Sequence, residues 1–152
     1  MRGVKQVRLK SKPFFCRLIY SDEAGGQVLR CEKHELRGRP DFIYKTRLMG
    51  RLVPMELKSG EVKDGPHYGD VMQLVTYFVI IEGAMGKRPG RGYLRYKNAM
   101  FVVKNTRAVR KELMAILADM RKMLKTGQGA ANPSFVHCRH CLARGTVCEK
   151  NA

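Results

Sequence analysis

Acidic residues are scarce in this sequence. Its 152 residues hold 13 Asp and Glu against 30 Lys and Arg, a formal net charge of +17 with a pI near 10.1. Such an excess favours a polyanionic partner, because binding a nucleic acid releases its condensed counterions. The bland alternative is a solubilising or thermophile-like surface, and charge alone says nothing about catalysis. Long apolar runs are also missing. The longest, residues 75–81, is far too short to span a bilayer, and no apolar signal core follows the basic residues 1–12. The expectation is a soluble, cytoplasmic protein without a membrane partner. There is no internal repeat, and a hydrophobic fraction of 44% is ordinary for a globular protein, with nothing to suggest a largely disordered chain. The length fits one domain over 1–152, large enough to bury a real core.

The chain divides into a basic lead-in (1–12), an α/β core (13–125), and a small-residue linker with a cysteine-rich tail (126–152). Residues 13–20 predict a strand, 22–26 a turn, and 27–37 a further extended stretch. Asp41 opens a short strand, 42–44. A turn at 48–50 leads to its partner, 51–58, in which Pro54 argues for an edge position or a bulge. Asp70 is a good N-cap for a helix over 71–85, apolar almost all round and therefore buried. Strands at 93–96 and 99–103 follow. Thr106 then caps an amphipathic helix to about Leu124, with Val109, Leu113, Ile116, Leu117, Met120 and Leu124 at helical spacing. This order predicts a small α/β domain with a mixed sheet.

Side chains two apart on a strand share a face, so Glu56 and Lys58 point one way and Leu57 the other. If the hairpin pairs as read, Asp41 joins Glu56. Two converging carboxylates make a hard-oxygen site for Mg²⁺ or Mn²⁺, suited to phosphodiester hydrolysis, with Lys58 as a point charge for water or phosphate. E-x-K alone is common and can simply decorate a strand. The preceding G-R-P-D and the Ser59-Gly60 break set this one apart. Gln73 and Tyr77 stand i, i+4 on one helix face, either to bind phosphate or tether the lysine, or as the polar edge of a core helix.

G-R-P-D (38–41), E-L-K-S-G (56–60) and Q-L-V-T-Y (73–77) together resemble the RecB-like nucleases of the PD-(D/E)xK superfamily. The closest likeness is to the CRISPR-associated exonucleases of the Cas-four family and their small stand-alone relatives. It continues through G-Y-L-R-Y (92–96) and C-R-H-C…C (138–148), covering roughly residues 28 to 150. The resemblance implies a restriction-endonuclease-like fold, a mixed central sheet flanked by helices. It implies divalent-metal cleavage of DNA, at single strands or ends, with Asp41 and Glu56 as metal ligands and Lys58 as the catalytic lysine. Gln73 and Tyr77 match the family's Q-x-x-x-Y motif. Larger members carry an N-terminal helical segment with a metal-binding histidine. About forty residues precede Asp41 here, without helical periodicity, and His34 is either a substitute or a solvated strand histidine.

Five cysteines in a cytoplasmic protein argue against a disulfide framework, and Cys138, Cys141 and Cys148 form a metal-type C-x₂-C-x₆-C tail. A closed site needs a fourth ligand, from His137, His140 or elsewhere. In the resembling family it is an N-terminal cysteine completing an iron–sulfur cluster of the 4Fe-4S kind, which makes Cys16 the first choice and Cys31 the second. Spacing alone suits zinc equally well, and both cysteines also read as buried apolar residues. The basic residues Arg37, Arg39, Lys63, Lys87, Arg88, Arg91 and Arg95 flank the site in sequence, with loop 86–92 the favoured DNA contact. Beside the nuclease stand a non-catalytic nucleic-acid-binding module, stapled by zinc or a cluster, and a docking subunit with a protein partner in CRISPR adaptation or recombination.

Overall fold

The computed structural model describes residues 3–9, 13 and 15–127. By backbone contacts the chain forms two compact units, Met1–Ala115 and Ile116–Ala152. The first holds a six-stranded sheet made of β1 (Val4–Val7), β2 (Cys16–Ser21), β5 (Phe42–Thr46), β6 (Leu52–Leu57), β7 (Arg91–Arg95) and β8 (Met100–Lys104). A small hairpin pairs β3 (Leu29–Cys31) with β4 (Leu36–Gly38). Helix α1 spans Tyr68–Met85 and helix α2 Arg107–Thr126. Of the second unit only residues 116–127 are described.

The strand order is β1-β8-β7-β6-β5-β2, antiparallel except between β6 and β7. A parallel pair needs a long crossover, and α1 supplies it. The mixed sheet with two helices is consistent with a restriction-endonuclease-like fold. Alternation sorts the strands into two faces. Ile43 and Leu52 pack with Tyr77, Ile80 and Ile81 on the α1 side, while Tyr44, Val53, Met55 and Met100 cluster on the other with Leu57 beside them.

Helix α1 is buried as its apolar composition predicts, with Val71, Leu74, Val75, Phe78 and Ile81 almost completely shielded. Two glycines let it approach its neighbours, Gly92 in β7 of the sheet and Gly38 in β4 of the small hairpin. A Cβ on Gly92 would stand 2.8 Å from Phe78 Cε1 and 2.9 Å from the Pro54 carbonyl oxygen; one on Gly38 would stand 3.0 Å from Tyr77 Cε1. Gly38, the glycine of G-R-P-D, is thus the floor on which the Tyr77 ring lies. Thr106 caps α2, accepting the Val109 N–H at 3.2 Å. Within α2, Val109 and Leu113 are buried, while Met120 and Leu124 are exposed, so the apolar spacing extends beyond the part it buries.

Four local expectations change. The lead-in contains a strand, β1, paired with β8 along the sheet edge. Residues 27–37 are interrupted by a one-turn 3₁₀ helix, Glu32–His34, ended by Glu35 at φ 50°. Pro54 is in an interior strand, paired on both sides, and is tolerated because the ladder to β7 begins only at Met55. Asp70 does not cap α1: the helix starts two residues earlier, after His67, and the Asp70 carboxylate lies in its first turn. No helix among the described residues is long and apolar enough to cross a membrane.

Candidate active site

The β5–β6 register pairs Phe42 with Met55. Continued one step, it sets Asp41 beside Glu56, on the face that α1 covers. Asp41 Oδ2 accepts the Leu57 N–H at 2.6 Å, which pins the carboxylate to the end of β6. Parallel pairing to β7 extends one residue past β6, with the Lys58 N–H donating to the Arg95 carbonyl at 2.8 Å. The backbone on either side of Glu56 is therefore tied to a neighbouring strand.

Gln73, on the first turns of α1, reaches down to this strand end. Its Oε1 accepts from Lys58 Nζ at 2.6 Å. Its Nε2 donates to Glu56 Oε1 at 2.7 Å and to the Tyr77 hydroxyl at 3.1 Å. A carboxamide both accepts and donates, so one side chain orients the lysine and the carboxylate together. Lys58 Nζ lies 3.5 Å from Glu56 Oε1 and 3.1 Å from Asp70 Oδ1. Asp70 in turn accepts the Tyr96 hydroxyl at 2.5 Å. Sequence reasoning missed Asp70 and Tyr96 as members of this cluster. The visible hint was an acid three residues ahead of Gln73, which on a helix faces the same side.

Burial and then the neighbouring Asp41 carboxylate push the Glu56 carboxyl up to about 7, against the pull of Lys58. Burial also raises the Tyr77 hydroxyl. Burial followed by the bond to Asp70 raises Tyr96, so both phenols stay protonated at neutral pH. Lys58 is raised, because the Asp70 and Glu56 contacts outweigh its own burial, and it stays an ammonium.

The donor set fits a divalent cation. Glu56 is 5% exposed, and its Oε2 is buried without a hydrogen-bond partner among the described residues. A buried carboxylate oxygen left bare is costly unless something cationic completes it. Asp41 and Glu56 would hold the ion. His34 lies in the 3₁₀ turn between β3 and β4 and is half-buried. Among the described residues no group of three or more His, Cys, Asp and Glu side chains gathers as a metal site, so His34 does not join the two carboxylates in one.

The remaining sequence candidates are elsewhere. Cys16 is half-buried in β2, paired with Thr46 at the end of β5 away from Asp41. Cys31 is buried against α1, where a Cβ on Gly83 would stand 2.5 Å from its sulfur. Cys138, Cys141 and Cys148 lie outside the described residues, as do His137 and His140. Loop 86–92 leads into β7, its last two residues, Arg91 and Gly92, being the first of that strand. Because β6 and β7 are parallel, it sits at the strand-start end of the sheet, whereas the site occupies the strand ends. There Arg91 helps line a cleft of about 570 Å³ with Phe15, Arg47, Arg51 and Lys104, distinct from the carboxylate–lysine cluster.

Two carboxylates, a lysine two residues past the second of them, and a helix-borne Gln–Tyr pair thus gather at the ends of a parallel strand pair. The chain belongs to the PD-(D/E)XK nuclease superfamily, whose sequence profile matches residues 4–149. Membership implies metal-dependent nuclease chemistry on DNA, typically with Mg²⁺ or Mn²⁺. No curated protein is significantly similar to the chain.

Proposed function

We propose that this protein is a divalent-metal-dependent deoxyribonuclease that works as an exonuclease on single-stranded DNA or DNA ends, with Asp41, Glu56 and Lys58 as its catalytic core and Gln73 and Tyr77 as their support. The observation that carries this reading is the Gln73 amide, which bridges Lys58 and Glu56 while Glu56 Oε2 is left for a cation. A module that only binds DNA has no use for that arrangement. The preference for single strands and ends, and the placement among RecB-like and Cas-four nucleases, rest on the resemblance of the 38–41, 56–60 and 73–77 motifs.

The bound cation would orient a water, lower its pKa and offset charge on the phosphorane-like transition state. The chain's own residues set the frame. Asp41 is fixed by the Leu57 amide and Glu56 by Gln73. Lys58 presents an ammonium to the scissile phosphate or the attacking water as a fixed point charge. The +17 surface draws the DNA in.

By the same reading Cys138, Cys141 and Cys148 hold an iron–sulfur cluster, with zinc as the alternative, and Cys16 is the fourth ligand ahead of Cys31. A second reading, a binding or docking module within a DNA-processing complex, is favoured by one observation: among the described residues no group of three or more His, Cys, Asp and Glu side chains is placed to hold a metal ion.

The test is anaerobic purification, a visible absorption spectrum, and incubation with end-labelled single-stranded DNA and Mn²⁺ beside Lys58→Ala. Cleavage that falls steeply in the variant, to a residual rate, supports the enzyme. Salt-sensitive binding without cleavage, unchanged in Lys58→Ala, would leave the module.

A further inference from the structure

We propose that Asp70 is the positioning residue for Lys58, and that Tyr96 holds Asp70 in place. This rests on the nuclease reading of the site but assigns two residues outside the carboxylate–lysine and Gln–Tyr motifs.

An ammonium has three N–H donors in fixed tetrahedral directions. Lys58 Nζ has three acceptors: Gln73 Oε1 at 2.6 Å, Asp70 Oδ1 at 3.1 Å and Glu56 Oε1 at 3.5 Å. The two shorter contacts both come from the start of α1. Once they fix two directions, the third is determined, and it points toward the carboxylate pair, where a phosphate or water would sit. The long contact to Glu56 is the one a substrate oxygen would replace. A lysine stem has several rotatable bonds, and ordering it beforehand removes that cost from the reaction.

Asp70 is itself held. Its second oxygen accepts the Tyr96 hydroxyl at 2.5 Å, and the Tyr96 oxygen accepts the His67 N–H, just ahead of α1, at 3.2 Å. Tyr96 is 3% exposed and directly follows β7, the strand that takes the Lys58 N–H through Arg95. Both ends of the Asp70–Lys58 contact are thus referenced to the β6–β7 pair. The plainer role, an acid in the first turn favouring the helix dipole, needs no side-chain partner. Here each carboxylate oxygen has one.

The experiment compares wild type, Asp70→Ala, Asp70→Asn, Tyr96→Phe, Lys58→Ala and the Asp70→Ala/Lys58→Ala double variant. Single-turnover cleavage of end-labelled single-stranded DNA in Mn²⁺ is read together with the ¹H–¹⁵N spectrum of lysine ammonium groups. Asp70→Ala should slow cleavage at saturating DNA roughly 10- to 100-fold, with half-saturation moved less than about 3-fold. Asp70→Asn, which keeps the acceptor, should recover part of the rate, and Tyr96→Phe should lose less than Asp70→Ala. In the Lys58→Ala background, Asp70→Ala should cost nothing further. The Lys58 ammonium resonance, identified by its loss in Lys58→Ala, should be sharp in wild type and broadened in Asp70→Ala, with the backbone spectrum unchanged. Equal losses from Asp70→Ala with and without Lys58, or a resonance that stays sharp in Asp70→Ala, would overturn the assignment. Should wild type not cut DNA while the resonance behaves as expected, the nuclease reading falls and the positioning role stands.

Discussion

Gln73 Oε1 takes a hydrogen bond from Lys58 Nζ at 2.6 Å while Nε2 of the same amide gives one to Glu56 at 2.7 Å. Replacement by a carboxylate would keep the first bond and abolish the second, adding like charge beside Glu56. We predict that Gln73→Glu lowers the cleavage rate at saturating DNA roughly 10- to 100-fold, and that Gln73→Met does much the same. Rates within twofold of wild type would show that the amide is a bystander.

Glu56 makes the metal-free fold sensitive to pH. Its folded carboxyl is raised to about 7 from an ordinary value of 4.5, chiefly by burial. The folded state therefore holds a proton that the unfolded state releases. The stability from this group is fully present below about 4.5 and is lost as pH rises through about 7. Glu56→Gln should accordingly melt higher than wild type at pH 8 in chelator, with the gap closing at pH 5. Added Mn²⁺ should raise the wild-type melting temperature at pH 8, do so far less at pH 5.5, and leave Glu56→Gln unmoved. Parallel melting curves for the two proteins across pH would refute this.

Close approach of α1 to β7 depends on Gly92, where a Cβ would meet the Phe78 ring at 2.8 Å and a backbone oxygen at 2.9 Å. Gly92→Ala should destabilise the protein by about 1–3 kcal/mol, measured by urea unfolding. Since α1 carries Gln73, cleavage should fall in the folded fraction as well. A neutral substitution would mean that the helix has slack.

Affinity for DNA should be electrostatic in the main, given 30 basic against 13 acidic residues. Binding of labelled single-stranded DNA in chelator should weaken about 10-fold or more between 50 and 200 mM salt. Lys58→Met, which removes one charge of many, should leave that slope nearly unchanged. A salt-independent affinity would argue that the basic surface serves solubility alone.

Much of the site was legible because its grammar is local. Asp41 at a strand start, Glu56 and Lys58 two apart, and Gln73 and Tyr77 four apart follow from strand and helix periods acting over a few residues. Asp70 was misread for the same reason. From sequence an acid before an apolar run looks like a cap, and only the packing of α1 onto the sheet gives its carboxylate to Lys58 and Tyr96. Pro54 shows the reverse error: proline signals an edge, yet β6 is interior, because the ladder to β7 starts one residue later. β1 escaped notice since four residues among cations carry too little pattern.

By itself, then, the sequence determined the charge, the two helices, the β5–β6 hairpin and which side chains share a face, since these depend on neighbours a few positions away. The tertiary structure alone decided the strand order, the interior place of β6, the separation of loop 86–92 from the carboxylates and the partners of Asp70. Each depends on which distant strand lies alongside β6, and the parallel pairing with β7, reached only after an 18-residue helix, sets that.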